Sequence, residues 1–260
     1  MTFPQIDPVF LRVGPLEFRW YGLMYILSFL SAYWIIRWAV RQRDLSLSAD
    51  DIADLVFSVA LGIILGGRLG YVLIYNFGWY LANPLKILAV WEGGMSFHGG
   101  MIGAIVAGLI YSRKKGIAPL MVADVGFLTA PIGLFLGRLG NFINGELYGR
   151  VTDVSWGVVF PGGGALPRHP SQLYEAALEG PVTLGILWLV FRQRYHRGCV
   201  MWSFIGLYGL FRFGVEFFRE PDAQVGFVIG SLSMGQLLSL PMAVMGCTLF
   251  FIWRQKERNS

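Results

Sequence analysis

Arg138, Asn141, Asn144 and Glu146 stand together in residues 137–150, which read Gly-Arg-Leu-Gly-Asn-Phe-Ile-Asn-Gly-Glu-Leu-Tyr-Gly-Arg. This stretch follows an apolar run, 122–136, that suits a lipid bilayer. A cation, two amides and a carboxylate at the hydrocarbon edge are costly unless they are paired or used. The four glycines let backbone or ligand approach closely. Together they point to a site for an anionic head group at a membrane surface.

Two further arginines, Arg68 and Arg212, fall near the ends of apolar runs as Arg138 does. Arginine at such a depth can simply snorkel to the interface. Three with one placement, with Glu146 and Glu216 nearby, argue instead for a shared polar cavity. The planar guanidinium suits bidentate binding of phosphate. Glu216 follows Arg212 by four residues, on one helix face, so the two can pair and hold that guanidinium in place.

His98 lies among glycines in segment 91–100, and histidine is the side chain that exchanges a proton near neutrality. The alternative for His98 is a packing or hydrogen-bonding role. His169, between Pro167 and Pro170, is a second candidate, and His196 sits in a basic turn where it is solvated. Histidines so dispersed make no zinc site, and neither a metal nor an organic cofactor is called for. Ser96 close to His98 invites a serine-hydrolase reading. It lacks the Gly-x-Ser-x-Gly elbow and an acid placed to orient the base. Walker and Rossmann patterns are missing too. Cys199 and Cys247 are far apart, without a CxxC spacing, and read as buried thiols.

The elements that must carry these groups are membrane helices. The 260 residues are 55% hydrophobic and 14% charged, with mean hydropathy +0.56, against about 25% charged in soluble domains. Seven spans are expected, at about 19–38, 52–75, 95–112, 119–138, 172–191, 199–217 and 235–253. Basic clusters follow alternate spans: Arg37, Arg41 and Arg43; Arg113, Lys114 and Lys115; Arg192, Arg194 and Arg197; Arg254, Lys256 and Arg258. The positive-inside rule then puts the N-terminus outside and the C-terminus in the cytoplasm. The net charge of +5 therefore reflects topology and not nucleic-acid binding. No cleaved signal peptide is expected, because a basic n-region and a small-residue cleavage site are lacking. The expectation is a single all-α, polytopic membrane domain, 1–260, of about seven transmembrane helices. A small periplasmic head is inserted at about 139–171, and residues 1–15 lie along the outer surface.

Ala53-Asp54 through Gly67-Arg68-Leu69-Gly70 matches Ala123-Asp124 through Gly137-Arg138-Leu139-Gly140, seventy residues later. Upstream, Tyr21-Gly22 aligns loosely with His98-Gly99. The match reads as a parallel internal repeat. Convergence on small-residue helix packing is the alternative, since Gly62, Gly66 and Gly70 have the spacing of helix contacts.

Segment 137–149 resembles the signature of the bacterial phosphatidylglycerol–prolipoprotein diacylglyceryl transferases. Segments 20–25, 66–71, 94–100, 168–175 and 211–222 are similar to that family as well, so the resemblance spans nearly the whole chain. It implies seven transmembrane helices with a periplasmic head, in a bacterial inner membrane. It also implies transfer of the diacylglyceryl group of phosphatidylglycerol to the lipobox cysteine in a prolipoprotein signal peptide, forming a thioether and releasing glycerol 1-phosphate. By resemblance the functional positions are Arg138, Asn141, His98 and Arg212, with Tyr21, Glu146 and Gly149; Arg68 and Glu216 join them as substrate-binding candidates from the residues alone. A transporter or flippase for an anionic lipid would also use arginines at the membrane edge. It would show polar or helix-breaking residues near midplane, whereas here they collect at the outer ends of spans. A scaffold has no use for buried arginines beside asparagine and glutamate.

Overall fold

The computed structural model describes residues 1–221, 226–230 and 232–256. Asp222, in the 211–222 segment, and Arg258, in the last basic cluster, lie outside the described residues. The long helices are α1 (Trp20–Gln42), α2 (Ala49–Ile74), α4 (Phe97–Lys115), α5 (Pro119–Ile143), α8 (Cys199–Val215) and α9 (Met234–Lys256). Short α3 is Phe77–Ala82, and α6 (Ser171–Ala177) joins α7 (Thr183–Arg192) through a kink. Each expected span falls on a helix. Among the described residues five are long and apolar enough to cross a membrane: Trp20–Gln42, Ala49–Ile74, Pro119–Ile143, Ser171–Arg192 and Met234–Gln255. Helix α8 is apolar but has only 17 residues, and α4 ends in Arg113, Lys114 and Lys115. Large apolar side chains stand outward along these helices, among them Leu30, Trp34, Phe57, Ile102, Val244 and Phe251. Exposed apolar side chains on helix after helix suit lipid and not water.

The fold is not purely helical. β1 (Val9–Val13) and β2 (Leu16–Arg19) form an antiparallel hairpin, and β3 (Phe227–Ile229) pairs with β4 (Leu232–Ser233). The first hairpin turns at Gly14-Pro15, with Gly14 at φ 58°. Glycine first and proline second suit a two-residue type II′ turn, a signal that a reading of 1–15 as a plain surface segment passes over.

The chain forms two compact units, one of Met1–Ile35 with Asp124–Ser260 and one of Ile36–Ala123. In the smaller unit α2 and α4 pack along facing glycines. A Cβ on Gly103 would lie 1.9 Å from Gly62 O, and one on Gly66 would lie 2.3 Å from Gly99 O. Only glycine allows backbones so close, the packing reading of the Gly62/Gly66/Gly70 stripe. Ser48 starts α2 with a capping box to Asp51, and Asp51 also pairs with Lys115.

In the larger unit α8 begins on a side chain from α5. Asp124, buried, accepts from Gly198 N at 2.7 Å and Met201 N at 2.9 Å. It thereby takes up amide groups that the first helical turn leaves open. Between α6 and α7, Pro181 has no N–H and its ring crowds the preceding turn. The backbone departs from helix at Gly180 (φ −91°, ψ −107°). Gly180 lies against Phe135 of α5, a hypothetical Cβ being 2.7 Å from Phe135 Cβ. This approach sets Glu179 beside the next turn of α5, where Arg138 is.

Candidate functional site

Helix α5 runs on to Ile143, past the expected end of its span at 138, so Asn141 stands with Arg138 on its last turns rather than in the segment beyond. Gly145 ends it. Its φ is 67°, its N–H reaches Phe142 O at 2.9 Å, and the N–H of Glu146 reaches Asn141 O at 3.0 Å. That pair of bonds is a Schellman ending, which favours glycine in the left-handed position. The turn folds Glu146 back over the helix end. There its Oε1 accepts from Asn141 Nδ2 at 2.8 Å and from Asn144 Nδ2 at 3.3 Å. The start of α6 holds the same turn from the other side: Gln172 Nε2 donates to Glu146 O at 2.6 Å and Ser171 Oγ to Leu147 O at 3.1 Å.

Arg138 meets two carboxylates. Its Nε lies 3.0 Å from Glu175 Oε2 and donates to Glu179 Oε2 at 3.3 Å. Arg212 meets two as well, Nη1 donating to Glu175 Oε1 and Nη2 lying 2.7 Å from Glu216 Oε2. Arg219 Nη1 also reaches Glu175 Oε1, at 3.4 Å. The expected Arg212–Glu216 pair is therefore present, inside a larger cluster of three arginines and three glutamates. Glu175 and Glu179 have no exposed surface, while the side chains of Arg138 and Arg212 keep 16% and 14%. Opposite charges facing one another let this much ionic material lie buried. Removing one partner of a buried pair typically costs about 3–5 kcal/mol.

Glu175 and Glu179 were not singled out as site residues from the sequence. The available signal was two acids inside an apolar run, where ionisable groups are costly and functional by default. Tyr21, at the start of α1, packs on Gly140; a Cβ there would lie 2.8 Å from the Tyr21 ring. Gly149 lies between two other segments: its N–H donates to His169 O at 2.8 Å, and it bridges to Arg219. Trp156 Nε1 donates to the Tyr174 hydroxyl at 2.7 Å, which is 3.2 Å from His169 Nδ1. An indole N–H only donates, so the Tyr174 oxygen accepts from Trp156 and joins it to the imidazole. Burial holds the His169 pKa below its usual value, against the opposing pull of Asp153. His169 is thus linked through Tyr174 to Trp156.

Arg68 and His98 belong to the smaller unit. His98 is exposed on the first turn of α4, which Ser96 caps by accepting from Gly99 N at 3.2 Å. Arg68, only 4% exposed, is spent on backbone: it donates to Ile87 O at 2.8 Å, Lys86 O at 2.5 Å, Gly93 O at 2.5 Å and Gly94 O at 3.1 Å. Arg68, aligned in sequence with Arg138, therefore clamps the loop that leads into His98. Hydrogen bonds to a charged group contribute about 1.5–3 kcal/mol each. Arg68→Ala is expected to destabilise the protein by at least ~3 kcal/mol, read as a lower thermal midpoint in detergent; an unchanged midpoint would show that the loop is held by something else. Of the cysteines, Cys199 is buried as expected and Cys247 is exposed on α9, against expectation. Its sulfur lies along Gly206 of α8, a would-be Cβ there being 3.2 Å from Sγ, at an exposed edge of the helix pair that tolerates a small apolar thiol.

Comparison with known proteins bears on this geometry. The family model for prolipoprotein diacylglyceryl transferase matches residues 8–252. The phosphatidylglycerol–prolipoprotein diacylglyceryl transferase of Geobacter sulfurreducens is 64% identical over 249 residues, 96% of each chain. Its counterpart by name in Vibrio atlanticus is 52% identical over 258 residues, 99% of this chain and 94% of that one. Another, in Nitratidesulfovibrio vulgaris, is 49% identical over 250 residues, 96% and 95% of the two chains.

Proposed function

We infer, for a chain that belongs to the prolipoprotein diacylglyceryl transferase family, that the arginine–glutamate cluster is where the lipid's phosphate is handled. The enzyme transfers the diacylglyceryl group of phosphatidylglycerol to the cysteine thiol of a prolipoprotein. In our reading the sulfur lone pair forms a bond to the glycerol carbon that carries the phosphate. The C–O bond breaks, its electron pair stays on the phosphate oxygen, and glycerol 1-phosphate leaves. The observation that supports this assignment is Arg138. Its ion pairs use Nε, and its terminal amines make no hydrogen bond to any described residue. A two-pronged donor edge beside a buried ionic frame suits an oxygen on which charge grows. Asn141 and Glu146 brace the helix end below it, and Tyr21 lies against the same turn.

The thiol proton needs an acceptor, because a free thiol titrates near ~8.5 and the thiolate is the nucleophile. We assign that role to His98. His98→Gln is then expected to lose the acidic limb of the pH–rate profile; a limb identical to wild type would remove His98 as the base.

We further place the protein in the bacterial inner membrane with seven spans, N-terminus periplasmic and C-terminus cytoplasmic. The alternating basic clusters support this, and α4 and α8 supply the two spans beyond the five longest. The partners are then phosphatidylglycerol, the bilayer, and a signal peptide whose lipobox cysteine is the acceptor. The direct test incubates purified protein with phosphatidylglycerol and a lipobox peptide bearing Cys or Ser at the acceptor position. A mass gain of one diacylglyceryl group on the Cys peptide alone is expected. No gain while lipid is bound would favour a lipid transporter.

A further inference from the structure

We propose that Glu175 is the positioning residue of this site, the buried carboxylate that turns the donor edge of Arg138 toward the lipid phosphate. The proposal rests on the assignment of Arg138 to that phosphate.

Among the described residues, Glu175 is the one side chain that reaches all three arginines. Its Oε1 takes Arg212 Nη1 and lies 3.4 Å from Arg219 Nη1, while its Oε2 lies 3.0 Å from Arg138 Nε. It has no exposed surface, and its helix is pinned nearby by Ser171 and Gln172, both without exposed surface as well. Glu175 therefore acts from a fixed point.

The two principal arginines are held differently. Arg212 gives its two terminal amines to Glu175 and Glu216, so the edge that would grip a phosphate is closed by carboxylates. Arg138 is held by its inner nitrogen, between Glu175 and Glu179, so the opposite edge is offered. The planar guanidinium makes this a choice of edge, since a carboxylate on the Nε side leaves the two terminal amines as a fork. Arg138 is then the phosphate ligand, and Arg212 is part of the frame that fixes Glu175. Replacing Glu175 with glutamine keeps the volume but turns an amide donor toward one of the arginines it now satisfies. The orientation of Arg138 is lost with it.

The test is a double-mutant cycle on lipid affinity. Binding of phosphatidylglycerol diether to the purified enzyme is measured in nanodiscs without peptide, with diacylglycerol as the control lipid lacking phosphate. Wild type, Glu175→Gln, Arg138→Ala and the double variant are compared. Each single variant is expected to bind phosphatidylglycerol at least tenfold more weakly and the control lipid unchanged. The double variant is expected to be no weaker than Arg138→Ala, because residues acting through one another do not add. Effects that multiply in the double variant, or a Glu175→Gln protein that binds as wild type, would overturn the proposal. An Arg138→Ala protein that binds as wild type would instead overturn the phosphate assignment, and the proposal with it. If Glu175→Gln does not fold, Glu175→Asp enters the same cycle, with the charge kept and the carboxylate drawn back by one methylene.

Discussion

Arg138→Lys should lower diacylglyceryl transfer by about a hundred- to a thousand-fold, nearly as far as Arg138→Ala, although it keeps the charge. The magnitude is that of one donor lost from a preorganised anion site, about 2.7–4 kcal/mol. Lysine presents a single ammonium. Placed between Glu175 and Glu179, where Nε now sits within 3.0 and 3.3 Å of their oxygens, it would satisfy the frame and offer nothing beyond it. Stretched toward the phosphate, it would leave two fully buried carboxylates short of a partner. Arginine does both because its guanidinium has two separate edges. The two substitutions should differ in stability: alanine removes a buried cation and is expected to cost about 3–5 kcal/mol, lysine less. Transfer to a lipobox peptide, followed by mass, with thermal unfolding of the same preparations, separates catalysis from folding. Turnover at the wild-type level in Arg138→Lys would sink the two-edge account.

Helix positions were the legible part of this molecule, because runs of about 20 apolar residues leave few alternatives in a bilayer. Even the kinked α6–α7 run falls within a residue of its expected 172–191 limits. The hairpin of β1 and β2 was missed because its signal is one Gly-Pro pair, and the exposed apolar strands beside it read equally well as a surface segment. The course of α5 past Arg138 was missed for a related reason. Polar residues after an apolar run look like a loop, and only Gly145 marks where the helix stops.

The candidate site was legible on one side. Signature residues offered Arg138, Asn141, Glu146 and Gly149 as candidates, and spacing gave the Arg212–Glu216 pair, which is present. What could not be read is which edge of each guanidinium is engaged, since that depends on Glu175 and Glu179 arriving from a different helix through the bend at Gly180 and Pro181. Arg68 shows the converse. Its placement in the repeat matches Arg138, yet its donors are spent on four backbone carbonyls. Equivalence in a repeat conveys backbone position and says nothing of what surrounds the side chain.

Gly149→Ala, the addition of a single methyl group, should reduce transfer by about a hundred-fold or more and destabilise the protein by about 1–3 kcal/mol, the usual cost of overpacking. Its Cβ would lie 2.4 Å from Phe218 O, 2.7 Å from His169 Cβ and 2.8 Å from His169 O. Two of these are carbonyl oxygens on different segments, so no rotamer change relieves the contact and a backbone must move. The movement is not local. The neighbouring Arg150 donates its N–H to Phe218 O at 2.8 Å, Nε to Arg219 O at 2.9 Å and Nη2 to Glu216 O at 3.3 Å. Pushing residue 149 away from 218 thus pulls on the end of α8, where Glu216 closes one edge of Arg212 and Arg219 reaches Glu175. It also strains the 146–147 turn that Ser171 and Gln172 fasten. Gly126→Ala is the matched control: Gly126 lies within α5 with nothing inside 4 Å of its would-be Cβ, and alanine there should leave activity unchanged while favouring the helix by up to about 1 kcal/mol. Transfer assays and thermal unfolding on both variants decide the point. A fully active, undestabilised Gly149→Ala would mean that the packing of segment 149 on 169 and 218 is not what holds the arginine frame in register.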